Sequence, residues 1–399
     1  MRRTIQAVIL LALLGALGCG GVMSNNVNPG PSPTPTPDPS PAPTPSSATI
    51  KNIIVVVMQN RSFDNLFGEF PLANGVTPTG AGFSQQDAAG KTVTPFVLTD
   101  LATADFFHTR GPLQLSWDNG LMDKFAKTNG DNTMGHYDAS TMSVLWGWAQ
   151  QFALADNFFP SVMGDAPSNQ LMLVAADDNS FPFSIQPFFG PCNTGITASQ
   201  PYTFQHVGDQ LAAKGLTWAW YHENLNKCGA YVPQENPFQF FTDSHSAPNV
   251  KDLSVFDADL ASGSFPTVAF VQSGALHDMH PALGVPVTKG ITWLDVFLKK
   301  IQASPIWNNS AVVVIWDSSG GWYDHVPPPQ LDPVPTFGNE GLGIRVPMMV
   351  ISPLAKKNYI SHVQMDDVAI LQFIQKTFGL APLNPRNQLG SDISDMFQF

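Results

Sequence analysis

The run Ile53-Ile54-Val55-Val56-Val57, ending at Met58-Gln59-Asn60, decides how the rest of this chain is read. Five consecutive β-branched residues leave no polar face, so the segment predicts a strand covered on both sides. The pattern recurs: Ala311 to Ile315 ends at Trp316-Asp317-Ser318, Val346 to Ile351 ends at Ser352-Pro353, and Thr267 to Gln272 is a fourth run. Between them lie helical spacings, Ile291, Leu294, Leu298 and Ile301 in one segment and Val368, Leu371, Phe373 and Ile374 in another. Together these predict an α/β fold, a doubly wound, mostly parallel sheet covered by helices on both faces. Ligands of such sheets bind beyond the carboxyl ends of the strands. That rule brings Gln59-Asn60 and Asp317-Ser318 to one crevice. The aromatic, Pro-containing stretch from Phe181 to Phe241 is expected to cap the sheet edge.

The N-terminus reads as an address. Arg2 and Arg3 precede an apolar run from Ala7 to Leu17, too short to span a bilayer and followed by small residues. Ala16-Leu17-Gly18-Cys19 has the form of a lipobox with Cys19 as the lipidated residue; the alternative is ordinary cleavage beside an incidental cysteine. Residues 1–19 are therefore expected to be a signal peptide, 20–47 a Pro/Thr/Ser-rich linker and 48–399 the folded body. The linker has too few apolar groups to offset its ordering entropy, and its prolines favour an extended tether. The expected product is an exported, membrane-anchored lipoprotein on the periplasmic or outer surface, touching the membrane through its lipid only.

Composition narrows the partners. The formal net charge is -12, with no basic cluster after the leader, which argues against nucleic acid. Charged residues make up only 13% against 43% hydrophobic, so Asn, Gln, Ser and Thr must carry much of the surface. Of three cysteines, setting Cys19 aside leaves Cys192 and Cys228, a disulfide candidate in an oxidising compartment. Two unpaired buried thiols are the alternative.

Five motifs follow in order: MQNRSFDNLFG (58–68), His108 with LSWDNGLMDKF (115–125), LADNFFPSVMG (154–164), VVVIWDSSGGWYDHVPPP (312–329) and GIRVPMMVISP (343–353). Their order and content resemble the bacterial phosphoesterase family of phospholipases C and acid phosphatases, over most of the chain from Ile50 onward. The resemblance implies an alkaline-phosphatase-like core and metal-assisted hydrolysis of a phosphoester, either a phospholipid head group or a small phosphoester. It further implies a Ser or Thr nucleophile at a helix N-terminus and a divalent metal ion held by a Glu-Asn pair and a later acidic pair. Histidines would bind phosphate or protonate the leaving group.

Carried over residue by residue, the pattern departs from the family. Asn60 matches, but Gln59 stands where the Glu is expected; Asp317 matches, but Ser318 replaces the second acid. Gln114 replaces a histidine of the second motif. Ala166 occupies the aligned nucleophile position in GDAPSN (164–169), with Asp165 a newly placed acid and Ser168 the nearest hydroxyl, otherwise read as a helix cap. The candidate metal ligands are thus Gln59, Asn60 and Asp317, with affinity weakened by lost charge. The candidate catalytic residues are Ser168, His108, His280 and His325, the last reached through Gly320-Gly321. Arg61 and Asp64 are read as an internal ion pair bracing the first loop. Two functions follow: an exported phosphoester hydrolase with a variant site, or a non-catalytic surface-tethered binder of an anion or partner.

Overall fold

The computed structural model describes residues 49–76, 81–164, 166–180, 185–192, 196–197, 200–242, 249–281, 283–329 and 341–399. The leader, lipobox and linker expected at 1–47, and Asp165, lie outside these residues.

Among the described residues nine strands form one mixed sheet. In chain order they are β1 (Asn52–Met58), β2 (Ala153–Phe159), β3 (Trp218–His222), β4 (Val250–Asp252), β5 (Val268–Gln272), β6 (Ser310–Trp316), β7 (Val346–Ile351), β8 (Tyr359–Ser361) and β9 (Met365–Asp366). The order across the sheet is β4-β3-β5-β1-β6-β7-β2-β8, with β9 also pairing to β2. Pairing is parallel except at β7, which runs antiparallel to β6 and β2. Residues 53–58 are each fully buried. Successive side chains of a strand point to opposite faces, so both faces of β1 are covered. The four apolar runs of the sequence are β1, β5, β6 and β7.

Helices close the layers. The 287–302 helix buries Val287, Ile291, Leu294, Leu298 and Ile301 along one stripe and packs on Ser143–Gln151. Ala166–Ala175 packs on Asp367–Phe378, which ends at Gly379 in the left-handed conformation. The expected cap is corrected in part: Trp218–His222 is an inner strand, β3, between β4 and β5. Aromatic side chains read as a lid because their strand pattern is not aliphatic, yet Trp218, Trp220 and Tyr221 are core.

Cys192 and Cys228 form a disulfide with a Cα–Cα distance of 5.0 Å and a sequence separation of 36. Closing a loop of that length restricts the unfolded chain, so reduction is expected to cost about 2–4 kcal/mol. Urea unfolding with and without reductant checks this; a difference under about 0.5 kcal/mol would mean that the loop is already constrained in the unfolded chain.

Candidate functional site

Strand β1 lies between β5 and β6, parallel to both, so the segments leaving all three emerge together. The first carries Gln59 and Asn60, the second Asp278 and His280, the third Asp317 and Ser318. Backbone bonds fasten them. Gln59 N donates to Asp278 O at 2.8 Å and Arg61 N to Ser318 O at 3.0 Å. Asn60 has φ +57, a left-handed conformation that Asn tolerates better than most residues. Gly320 explains part of the GG motif: a Cβ there would sit 2.4 Å from the Asn60 carbonyl oxygen. The glycine therefore serves the Asn60 loop.

The expected metal ligands do meet, but they bond to one another. Gln59 Nε2 donates to Asp317 Oδ2 at 2.8 Å, and Gln170 Nε2 donates to the same oxygen at 3.0 Å. Ser318 Oγ donates to Asn60 Oδ1. Amide and hydroxyl hydrogens thus occupy Asp317 Oδ2 and Asn60 Oδ1, two of the oxygens that a hard cation would need. One oxygen, Asp317 Oδ1, is buried with no hydrogen-bond partner among the described residues, and burial drives this acid well above the usual carboxylate range. The set Gln59, Asn60, Asp317 and Ser318 does not fit a divalent ion as it stands: it holds one carboxylate and supplies donors in place of the second and third anions.

A prediction follows directly. Gln59→Glu places a second carboxylate against buried Asp317 and removes its donor. Stability is expected to fall by about 2–4 kcal/mol in chelator. Added Mn²⁺ or Zn²⁺ should recover part of it, because a cation can then sit between the two acids. Thermal melting with and without metal reads this; a variant as stable as the parent in chelator would show that the pocket admits enough water to solvate both charges.

Beside this neutral pocket lies a charged cluster. Asp105, His108 and His280 offer ligand atoms all within 4.8 Å of one another. His108 Nδ1 lies 3.5 Å from Asp105 Oδ1, and His280 Nε2 lies 3.7 Å from Asp105 Oδ2. Asn60 Nδ2 is 3.3 Å from His108 Nε2, joining the cluster to the first loop. Burial lowers the pKa of His280, with Asp105 pulling it the other way. Behind it, burial pushes Glu235 up to about 8, and burial together with the charge of Glu235 drives Asp278 well above its ordinary value.

The other two expected catalytic residues are Ser168 and His325. Ser168 is the third residue of the Ala166–Ala175 helix, not its cap, and its side chain is buried. Ala166 opens that helix, as the alignment with the family placed it. His325 belongs to a separate network: its Nδ1 and backbone N both lie 2.7 Å from Asp64 Oδ2. Arg345 Nη2 donates to Asp64 Oδ1 at 2.9 Å and its Nε to Asp324 Oδ1 at 3.0 Å. The expected Arg61–Asp64 pair is corrected accordingly: Asp64 pairs with Arg345. Arg61 instead donates to Met279 O at 3.0 Å and lies over the Trp322 ring. The sequence reading missed Asp105, Asp278, Gln170 and Glu235. Asp105 lies three residues before His108 and Asp278 two before His280, and that spacing could have found them. The Pro-flanked turn holding Glu235 carries no comparable signal.

Fold and crevice together define an α/β protein with a histidine–carboxylate cluster beyond its central strands. The chain belongs to the phosphoesterase family, whose model matches residues 50–381. It is 24% identical to the non-hemolytic phospholipase C of Pseudomonas aeruginosa across 88% of this chain, and spans 57% of that protein's length. It is 26% identical to phospholipase C B of Mycobacterium tuberculosis, covering 87% of this chain and 77% of the relative. Among solved structures, a Vibrio parahaemolyticus protein described as in the alkaline phosphatase superfamily aligns with a TM-score of 0.44 and 9% identity. That alignment covers 88% of this chain and 71% of the other.

Proposed function

We propose that this chain is an exported, lipid-tethered hydrolase that cleaves a phosphoester, of phospholipase C or acid phosphatase type, in the crevice of Asn60, Asp105, His108 and His280. What carries the reading is the convergence of these four side chains from three separate segments beyond the central strands. Non-bridging phosphate oxygens would accept from Asn60 Nδ2 and an imidazole N–H. Water is the nucleophile in this reading, since Ala166 stands where the family places its hydroxyl and Ser168 lies two residues further along the helix. Its oxygen bonds phosphorus, its proton passes to the Asp105 carboxylate, and the phosphorus–oxygen bond to the alcohol breaks. The alcohol departs with a proton from a protonated imidazole. Family membership and phospholipase C relatives support the substrate class.

The same missing hydroxyl favours a second reading, a binder of phosphate-bearing ligands without turnover. The test is to assay the purified chain on aryl phosphomonoesters and phosphodiesters, with melting measured in phosphate and vanadate. Turnover above background supports hydrolysis. Ligand-raised melting without turnover moves the function to binding, and neither signal removes both.

A further inference from the structure

We propose that Asp105, His108 and His280 form a binding site for a first-row divalent metal ion of the zinc type, displaced from the Gln59-Asn60-Asp317-Ser318 position. The inference concerns the crevice proposed above and rests on that reading for its relevance to hydrolysis, though not for the binding itself; an ion held there would replace the proton-transfer roles given above to Asp105 and the imidazoles. Two imidazoles and a carboxylate are the donor set that suits zinc. Ligand atoms about 2.0 Å from a tetrahedral zinc stand about 3.3 Å apart. The Asp105 Oδ2 to His280 Nε2 separation is 3.7 Å, and one ligand atom from each of the three residues lies within 4.8 Å of the others. Closing that gap needs a small movement, and the side chain of Asp105, 38% exposed, has room to make it.

The surroundings hold the ligands in place before any ion arrives. The Phe106 carbonyl lies 2.6 Å from His108 Nδ1. A proton held there makes Nε2 the ligating nitrogen, which an ion would take over from the Asn60 amide 3.3 Å away, and hydrogen bonds of this kind orient metal-bound histidines. The Phe106–Phe107 segment is clamped by Asn129, which accepts from Phe107 N at 3.0 Å and donates to its carbonyl at 3.1 Å. On the other side His280 follows Met279, a residue with φ +73. That conformation is sterically costly for methionine. It is fixed by Arg61 Nε on the Met279 carbonyl at 3.0 Å and by His280 N on Asp278 Oδ1 at 2.8 Å. Backbone strain and two braces are spent on presenting one imidazole. The second histidine–carboxylate cluster among the described residues, Asp64, Asp324 and His325, differs because Arg345 already fills the cation's place. Among the described residues three protein ligands converge, and all three are partly exposed, so coordination positions stay open to a small anion.

The experiment uses the purified full chain stripped with EDTA, titrated with zinc chloride by equilibrium dialysis and with cobalt chloride by visible absorption. The proposal expects one zinc per chain and the intense cobalt bands of a four- or five-coordinate site with nitrogen ligands. Asp105→Asn and His280→Ala should each weaken zinc binding about tenfold or more, whereas Asp317→Asn should keep it. Melting curves run alongside show whether each variant is folded. No zinc uptake by the unaltered chain overturns the proposal, as does undiminished binding by folded D105N and H280A. Loss of binding in D317N with retention in the other two also overturns it. Should the variants fail to fold, the cobalt spectrum of the unaltered chain decides, and weak six-coordinate bands count against the site. Zinc bound without turnover sustains this inference while removing hydrolysis; turnover that survives chelation with no zinc bound does the reverse.

Discussion

Replacing Arg345 by methionine is expected to remove about 3–5 kcal/mol of stability at neutral pH. Arg345 is fully buried and donates to Asp64, to Asp324 and to the carbonyls of Asn74 and Asp156. Methionine fills much of the volume, so the loss reports the two carboxylates left buried without their cation. The pH dependence has a definite sign. Burial raises Asp324 to about 6 even though Arg345 pulls it down. A carboxyl group whose folded pKa is raised contributes stability below its unfolded value, lost as pH rises through the folded one. Without Arg345 that pKa rises further, so the deficit of the variant should grow between pH 5 and pH 7. Urea unfolding at the two values checks this. A deficit that is equal at both, or below about 1 kcal/mol, would show that the carboxylates find other partners. His325 belongs to the same network: burial alone would lower its pKa, but the hydrogen bond and charge of Asp64 outweigh that and raise it. His325→Gln should therefore lower stability most in acid, where the histidine carries its charge.

How much of this was legible depends on whether a residue's meaning is local. The strands 53–57, 311–315 and 346–351 could be read because burial on both faces demands unbroken apolar runs. Strand β2 could not, since it contains Asp156 and Asn157. Asp156 is tolerated there because His362 Nδ1 at 2.8 Å and Asn74 N at 2.8 Å satisfy its carboxylate, partners more than 80 residues away on either side. Gln59, Asn60 and Asp317 were findable because each follows a strand. That they neutralise one another was not, because Gln170, the second donor to Asp317, comes from a helix 147 residues distant. His325 depends in the same way on a distant partner: its motif matches the family, but Asp64, which bonds it, lies 261 residues away. Asp105 gained its meaning only when the fold set His280 beside it.

The second large effect concerns turnover. His108→Ala and His280→Ala are each expected to lower kcat/KM on an aryl phosphodiester by about 10²–10⁴, the usual contribution of a positioned proton donor or charge-bearing group. Ser168→Ala is expected to change it by less than about threefold and to leave stability within about 1 kcal/mol of the parent. The contrast is what discriminates. If a hydroxyl at the start of the Ala166–Ala175 helix were the nucleophile, removing it would abolish the reaction. Ser168 lies two residues, roughly 200° of helical turn, from the aligned position. Its neighbour Gln170 is the side chain of this helix that reaches Asp317, at 3.0 Å. An S168A variant that is folded but inactive would therefore require the helix to rotate on substrate binding and would end the water-attack reading. Undiminished activity in H108A and H280A would move the chemistry out of this crevice altogether. Loss in both histidine variants with S168A near the parental rate is the pattern expected when histidines and Asp105 carry the reaction and the family's serine position has fallen silent.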